Sequence, residues 1–311
     1  MRLNTGTAAA IAASLLLASP INAINIISSN DDGWAEVNIR ALYDALNAAG
    51  HTTVVSAPAE DESGTGSDQG TPTVLTEACE FNSCPAGSPA IGNNASEPRL
   101  NYVNSYPATS MKYGINSIGP TYFDGAAPDL AVTGPNVGNN IGLEVLLSGT
   151  AGAATYAAYD AGIPAIAFSG STGSQTAWNA SATYPLYSQL YADLAVNVTD
   201  TLIASGTPYL PDNIWLNVNF PSVSDSKCNT VGDFKFVLSR IYTAVPLITP
   251  DDVTTCGSDR LPSELEVSLA SDLSSDCYAS ISVGLASKKS DANATMQAVV
   301  LDKLSGILSC L

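Results

Sequence analysis

The feature that most constrains the fold is a strand, a helix and a second strand that follow one another within about 35 residues. Residues 24–30 (INIISSN) predict a short buried strand. Residues 35–49 repeat apolar side chains at three- and four-residue spacing, which predicts an amphipathic helix that ends at Gly50. Residues 52–56 (TTVVS) predict the next strand. A strand–helix–strand unit of this length implies a parallel sheet with a right-handed crossover.

The same alternation continues toward the C-terminus. Further strands are predicted at residues 129–133, 164–169, 215–220 and 234–241, and further helices at residues 149–160 and 185–204. We expect one α/β domain over residues 24–311, Rossmann-like, with a mostly parallel sheet between two layers of helices. Within it, residues 24–220 form the core, residues 221–290 a β-rich extension with a hairpin, and residues 291–311 a C-terminal helix.

The first 23 residues have the pattern of a signal peptide. Arg2 supplies the positive charge, residues 8–18 are apolar but shorter than a membrane span, and a cleavage site follows Ala23. No later stretch is apolar for long enough to suggest a membrane anchor. We therefore expect a secreted protein, located in the medium or the cell wall, with no membrane partner.

Cysteine usage and glycosylation sequons agree with export. The even number of cysteines permits three disulfides, and the close pair Cys79 and Cys84 is expected to bond locally. A zinc site is disfavoured because the C-x2-C spacing is missing and the chain has only one histidine. Sequons for N-glycosylation occur at Asn94, Asn179, Asn197 and Asn293.

Charge excludes several function classes. The chain has 11 Lys and Arg against 29 Asp and Glu, a net charge of −18. Such a chain cannot assemble the basic surface that a nucleic-acid polymer requires. A small phosphorylated substrate would need a cation to help hold it. The single histidine, His51, excludes histidine-nucleophile phosphatases and multi-histidine metal sites, and its place opposite the strand ends favours a structural role.

The first candidate for chemistry is the pair Asp31 and Asp32, directly after the first strand. Open parallel sheets bind ligands beyond the carboxyl ends of their strands. Adjacent carboxylates repel each other, so both ionise readily only beside a cation or in free solvent. Carboxylate oxygens suit Mg²⁺, Mn²⁺ or Ca²⁺. The alternative is an ordinary polar turn, for which the composition is equally suitable.

Other polar groups follow the neighbouring strands. Ser63 lies after the second strand, and Asn136 and Asn140 follow the strand that ends near residue 133. Their hydroxyl and amide oxygens could complete a cation site. The run Ser148–Gly149–Thr150 precedes a helix, where exposed amides and hydroxyls can bind an anion. The alternatives are an N-cap serine and turn asparagines.

Five motifs, in order and at similar spacing, resemble the SurE family, specifically its secreted fungal branch. The matching segments are Ser29–Gly33 (SNDDG), Ala57-Pro58 with Ser63-Gly64, the run TGPNVGNNIG at residues 133–142, Ser148–Thr150 (SGT), and Leu216–Pro221 (LNVNFP). The resemblance extends from about residue 24 to residue 287, and five motifs in order are more specific than any one of them.

The resemblance implies a secreted, divalent-metal-dependent phosphomonoesterase, either an acid phosphatase or a 5'- or 3'-nucleotidase. It implies that Asp31, Asp32, Ser63 and Asn136 hold the metal, Mg²⁺, Mn²⁺ or Ca²⁺, and that the two aspartates serve catalysis by metal-activated water. It also implies that four residues bind the substrate's phosphate group at one end of the site: Asn140, Ser148, Gly149 and Thr150. The implied substrate is a small phosphomonoester such as a nucleoside monophosphate, and a homodimer remains open.

Two departures from the family pattern bear on substrate choice. Residues 33–39 (GWAEVNI) replace the usual P-G-I, and the acidic run Glu60–Asp61–Glu62 replaces a basic stretch before Ser63. Acidic residues beside the site would repel polyanions. Two other functions remain open on sequence alone: a non-catalytic nucleotide- or metal-binding module of the same fold, and a carbohydrate-binding or cell-wall structural protein.

Overall fold

A computed structural model describes residues 23–311, so the predicted signal peptide lies outside the described residues except for Ala23. The strands are β1 (Asn25–Ser29), β2 (Thr52–Pro58), β3 (Ile91–Asn93), β4 (Leu100–Val103), β5 (Leu130–Val137), β6 (Ala165–Gly170), β7 (Ile214–Phe220), β8 (Phe234–Ser239), β9 (Cys277–Leu285), β10 (Ser290–Asp291) and β11 (Leu308–Ser309). The α-helices are α1 (Val37–Ala48), α2 (Pro107–Tyr113), α3 (Gly119–Tyr122), α4 (Gly149–Thr155), α5 (Leu186–Ala204), α6 (Glu264–Leu273) and α7 (Ala294–Leu304).

All these strands belong to one mixed sheet, in the order β11-β8-β9-β7-β6-β5-β1-β2-β4-β3, with β10 paired to β9. The pairs from β7 through β4 are parallel, as are β8–β9 and β8–β11. Only β7–β9, β3–β4 and β9–β10 are antiparallel within the described residues. The prediction of a mostly parallel α/β sheet is therefore confirmed.

Helices cover both faces of this sheet. Neighbouring residues of β1 point to opposite faces, so Ile26 packs in one core with Leu42 of α1 and Leu194 of α5. Ile27 packs in the other core with Met111 of α2 and Ala154 of α4. Because β1 is buried on both faces, its two adjacent isoleucines, Ile26 and Ile27, each pack into a different core.

The predicted strand–helix–strand unit at the N-terminus is present. Helix α1 begins at Val37, two residues later than expected, because the side chain of Glu36 caps it by accepting a hydrogen bond from the Asn38 amide. Capped helix ends are where boundaries read from periodicity are least exact.

The C-terminal part contains one antiparallel hairpin, β9–β10, and is otherwise arranged differently from the expected extension. Strands β8 and β9 run parallel to each other and join the main sheet, and the helix α6 lies between them in sequence. Ser263 and Glu266 form a capping box that starts α6. The S-x-x-E pattern was available in the sequence as a helix start. The predicted C-terminal helix is present as α7.

All six cysteines are paired, as Cys79–Cys84, Cys228–Cys277 and Cys256–Cys310. The local pair is the one expected from the sequence. The second bridge joins the start of β9 to the loop before β8, and the third ties the C-terminus to residue 256. Among the described helices, none combines the length and the apolar character needed to cross a membrane.

We expect the bridges to differ in their effect on the free energy of unfolding. Cys228 and Cys277 are separated by 49 residues, and Cys79 and Cys84 by 5. Loop-closure entropy predicts losses of about 4 kcal/mol for the double alanine variant of the long bridge and about 2 kcal/mol for that of the short one. Urea unfolding of the two variants beside the wild type measures this, and an equal or larger loss for the short bridge would contradict it.

Candidate metal centre

The candidate site lies where the strand order reverses. From β1 the chain first builds β2, β3 and β4 on one side, and then returns to place β5 on the other side. Asp31 and Asp32 follow β1, and Asn136 lies near the end of β5, so both sit at this switch point. Carboxyl ends of parallel strands diverge there and leave a crevice, which is where open α/β sheets bind ligands.

Asp31 is held tightly by its surroundings. Its side chain is buried, and Oδ1 accepts a hydrogen bond from the hydroxyl of Thr150. Its backbone carbonyl accepts a hydrogen bond from the Glu62 amide at 2.8 Å. A Cβ at Gly149 would lie 2.8 Å from the Asp31 Cβ, so only glycine fits there. These contacts explain why the Ser148–Thr150 turn lies against the first aspartate.

Asp32 is equally buried but faces different partners. Oδ2 accepts the backbone N–H of Val137 at 2.9 Å, and Oδ1 accepts Nε2 of Gln175 at 2.9 Å. The first contact ties the carboxylate to the end of β5, and the second ties it to the loop after β6. Sequence reasoning missed Gln175, because it lies in a Ser/Thr/Gly-rich loop and belongs to none of the five motifs.

Asn136 presents its amide oxygen to the same cluster. Its Nδ2 donates to the carbonyls of Val137 and Gly138, at 3.2 and 2.7 Å, which fixes the orientation of the amide. Oδ1 lies 3.2 Å from the Thr150 hydroxyl, which also contacts Asp31. A hydroxyl has one proton, so Thr150 can donate to only one of the two oxygens at a time. The other oxygen is available to a cation.

A bulge in β5 aims Asn136 at this cluster. In the pairing of β5 with β6, Thr133 aligns with Ala167 and Asn136 with Ser169, so β5 contains one extra residue between them. Gly134 in the bulge has a φ of +90°, and a Cβ there would lie 2.2 Å from the Phe168 carbonyl oxygen. Bulges near sites commonly redirect a side chain. The sequence predicted a loop after residue 133, whereas Asn136 lies on the strand itself.

The electrostatics of the aspartate pair favour a cation. Burial raises the pKa of Asp31 above its usual range, and the Thr150 hydrogen bond lowers it in part. Burial, followed by repulsion from Asp31 and Glu36, raises the pKa of Asp32 well above its usual range. Within residues 23–311, neither carboxylate forms an ion pair with a basic side chain. Two carboxylates and an amide oxygen are the donor set that Mg²⁺, Mn²⁺ or Ca²⁺ prefers, so these residues fit a divalent ion.

The remaining predicted ligand, Ser63, forms no hydrogen bond with either aspartate in the described structure. Its side chain is exposed, and its amide donates to Oδ1 of Asp61 at 2.9 Å. The bond between Glu62 and the Asp31 carbonyl brings the loop to the aspartates. Ligation by the Ser63 hydroxyl stays a prediction.

The residues predicted for the phosphate end have partners within the protein. Oγ of Ser148 accepts a hydrogen bond from the Ala151 amide at 3.0 Å and so caps α4. The Thr150 hydroxyl donates a hydrogen bond to Asp31. Nδ2 of Asn140 donates to Ser169 at 2.9 Å. Phosphate contact by these residues therefore stays a prediction, and it would use the backbone amides of the turn or a rearrangement of these hydroxyls.

A buried polar brace holds the Asn140 segment in place. The Asn140 amide donates to Oδ1 of Asn219 at 2.8 Å, and its carbonyl accepts from Asn217 at 2.9 Å. Asn217 also donates to Glu264 at 2.7 Å, and the Gly142 amide donates to the other Glu264 oxygen at 3.0 Å. Burial raises the pKa of Glu264 to about 8. This brace gives the two asparagines of the LNVNFP motif a structural role, and sequence reasoning missed Glu264.

His51 lies at the opposite end of the sheet, before β2. It is buried, its Nε2 is 2.8 Å from Oδ1 of Asp200 on α5, and its Nδ1 is 3.4 Å from the Ile24 amide. These contacts join α5 to the edge of the sheet. Its burial and these two contacts agree with the structural role expected for the only histidine.

Known proteins resemble this chain in sequence and in fold. A family described as "Survival protein SurE" matches residues 26–240. An acid phosphatase of Yarrowia lipolytica is 37% identical over 206 residues, 64% of this chain and 57% of that protein. A 5'-nucleotidase SurE of Desulfovibrio desulfuricans is 34% identical over 148 residues, 47% of this chain and 49% of that protein. The match thus spans about half the length of these curated relatives.

The fold comparison extends farther along the chain. The crystal structure of a SurE protein from Aquifex aeolicus aligns with a TM-score of 0.56 at 20% identity. The alignment covers 84% of this chain and 93% of that one. At this identity the likeness concerns the fold alone.

Removing Glu264 should destabilise the protein through the brace. Glu264→Ala leaves the Gly142 amide and the Asn217 side chain without their buried acceptor, which costs about 2–5 kcal/mol of unfolding free energy. Asp272→Ala, an exposed position on the same helix α6, is the matched control and should change it by less than about 0.5 kcal/mol. Chemical unfolding measures both, and equal effects would show that the brace carries no stability.

Proposed function

Because the chain belongs to the SurE family, we propose that it is a divalent-metal-dependent phosphomonoesterase, an acid phosphatase or nucleotidase. The observation that carries the proposal is the buried pair Asp31 and Asp32, which has no basic partner in the described chain. The names of the relatives, acid phosphatase and 5'-nucleotidase, support the same class of reaction.

Asp31, Asp32 and Asn136 would hold the metal through side-chain oxygens, with Ser63 as the fourth ligand. A divalent ion, Mg²⁺, Mn²⁺ or Ca²⁺, supplies activation of a water molecule and offsets negative charge on the phosphate. The protein's part is to hold these ligands in fixed positions. Thr150 fixes Asp31, and Gln175 with the Val137 amide fixes Asp32. Such outer contacts typically change metal affinity by about 10–100-fold when removed.

Charge around the site favours a small substrate with few phosphates. Asp61 lies close enough to raise the pKa of both aspartates. Three further acidic residues belong to the same cluster, and burial followed by repulsion from neighbouring carboxylates raises their pKa values: Glu60, Glu62 and Glu80. This acidic rim would repel polyphosphates more strongly than a monoester. We propose a nucleoside monophosphate or a simple phosphomonoester as substrate.

The proposal includes export of the protein. Three disulfides are typical of proteins that fold in an oxidising compartment, and all six cysteines here are paired. The signal-peptide pattern in residues 1–23 supports the same route. The protein would act in the medium or the cell wall, with N-glycans at accessible sequons.

The test compares two variants with p-nitrophenyl phosphate and Mn²⁺, with and without a chelator. Asp32→Asn should lower phosphate release by at least about 100-fold, because it removes a charge that the cation requires. His51→Ala should keep most of the turnover, since the imidazole lies at the other end of the sheet. The chelator should abolish the wild-type activity.

Circular dichroism establishes that both variants are folded before they are compared. Wild-type turnover by Asp32→Asn, or loss of turnover by a folded His51→Ala alone, would refute the metal-hydrolase proposal. A wild-type protein that binds Mn²⁺ and releases no phosphate from any monoester would instead be a non-catalytic binding module.

A further inference from the structure

A cavity of about 320 Å³ lies beside the candidate metal centre and shares none of the four predicted ligands with it. We call it the Lys289 cavity. Three segments contribute to its lining: Ser67 and Gln69 in the loop after β2, Gly152 and Thr155 of α4, and Lys288 and Lys289 in the turn between β9 and β10. Helix α4 connects the two places, because its first turn contacts Asp31 and its second turn borders the cavity.

Lys289 is buried without a partner. The residue is 8% exposed, and its Nζ has no hydrogen-bond partner among the described residues. Burial lowers the pKa of its ammonium to about 8, against the opposing influence of the Asp31 carboxylate. A buried, unpaired ammonium is costly, so natural proteins pair such groups or retain them for a function.

The backbone also holds Lys289 in a demanding conformation. Its φ is +47°, in the left-handed region that a residue with a Cβ adopts at a cost. The hydroxyl of Tyr242 donates to the Lys289 carbonyl at 2.8 Å and secures this turn. The long cationic side chain of Lys289 is thus held in the interior, although an exposed orientation would cost less desolvation free energy.

The charges at the cavity favour an anion although the whole protein is acidic. Two of the 11 basic residues of the chain, Lys288 and Lys289, line it. The only acidic residue lining it, within residues 23–311, is Asp160, which is exposed and therefore screened by solvent. Ser67, Gln69 and Tyr156 add neutral groups that can donate hydrogen bonds.

We propose that the Lys289 cavity binds an oxyanion, with Lys289 as its cationic ligand, at a site separate from the metal centre. A lysine is a compact point charge and a common ligand of phosphate. The anion would be inorganic phosphate or the phosphate group of an organic ester. The existence of an anion site rests on the cavity and the buried Lys289, and the choice of phosphate rests on the proposed function.

The test measures binding of inorganic phosphate by calorimetry, with the mature protein in a chelator, so that the metal centre takes no part. The wild type should bind phosphate at one site, and Asp32→Asn should not weaken this binding. Lys289→Met, which keeps the length and removes the charge, should weaken binding at least 10-fold. Lys288→Met, at the exposed neighbour, is the matched control and should change affinity by less than about 3-fold, as expected of an exposed charge.

A second titration with p-nitrophenyl phosphate, which is not hydrolysed in the chelator if the proposed function holds, distinguishes the two sources of the anion. Tighter binding of the ester assigns the site to a substrate, and tighter binding of phosphate assigns it to the free ion. No phosphate binding by the folded wild type, or unchanged binding by Lys289→Met, would overturn the proposal. A wild-type protein that binds phosphate in this cavity but does not hydrolyse p-nitrophenyl phosphate with Mn²⁺ would refute only the proposed function.

Thermal unfolding provides an independent readout. Since Lys289→Met removes an unpaired buried charge, its Tm without phosphate should equal or exceed that of the wild type. Added phosphate should raise the Tm of the wild type and leave that of Lys289→Met unchanged. A variant with a lower Tm that still gains stability from phosphate would show that Lys289 is structural, contrary to the proposal.

Discussion

The burial of two adjacent carboxylates at the end of β1 is the constraint on which the rest of the site depends. Asp31 and Asp32 are almost fully buried, and burial raises the pKa of each. Bringing two such charges out of water costs several kcal/mol per group unless a cation compensates them. Hydrogen bonds from the Thr150 hydroxyl, the Val137 amide and Gln175 orient the carboxylates without neutralising them. A divalent ion would supply the missing charge.

Much of the surrounding structure serves to bring polar groups of different strands to this point. The bulge at Gly134 turns Asn136 toward Thr150, and Gly149 allows α4 to begin against Asp31. The brace from Asn217 to Glu264 fixes the segment that follows Asn136, although it touches neither aspartate. The candidate site therefore depends on several strands and loops at this edge of the sheet. Residues of the C-terminal segment also help to hold it in place.

The helices and strands, and the edge of the sheet that carries the candidate site, could be predicted from the sequence because both depend on short-range patterns. Periodicity located β1 and α1, and a polar residue after a buried strand located Asp31. Gln175 and Glu264 were missed because their roles arise from contacts across 143 and 47 residues, which no spacing rule encodes. The strand position of Asn136 was missed because glycine and proline at the bulge have the composition of a loop.

The most direct test of the metal centre is anomalous X-ray diffraction from crystals of the protein grown with Mn²⁺. The account predicts a strong anomalous peak within about 2.0–2.6 Å of carboxylate oxygens of Asp31 and Asp32, with the Asn136 amide oxygen also in the coordination sphere. A peak elsewhere, with the aspartate pair free of metal in a protein that hydrolyses phosphate esters, would contradict it.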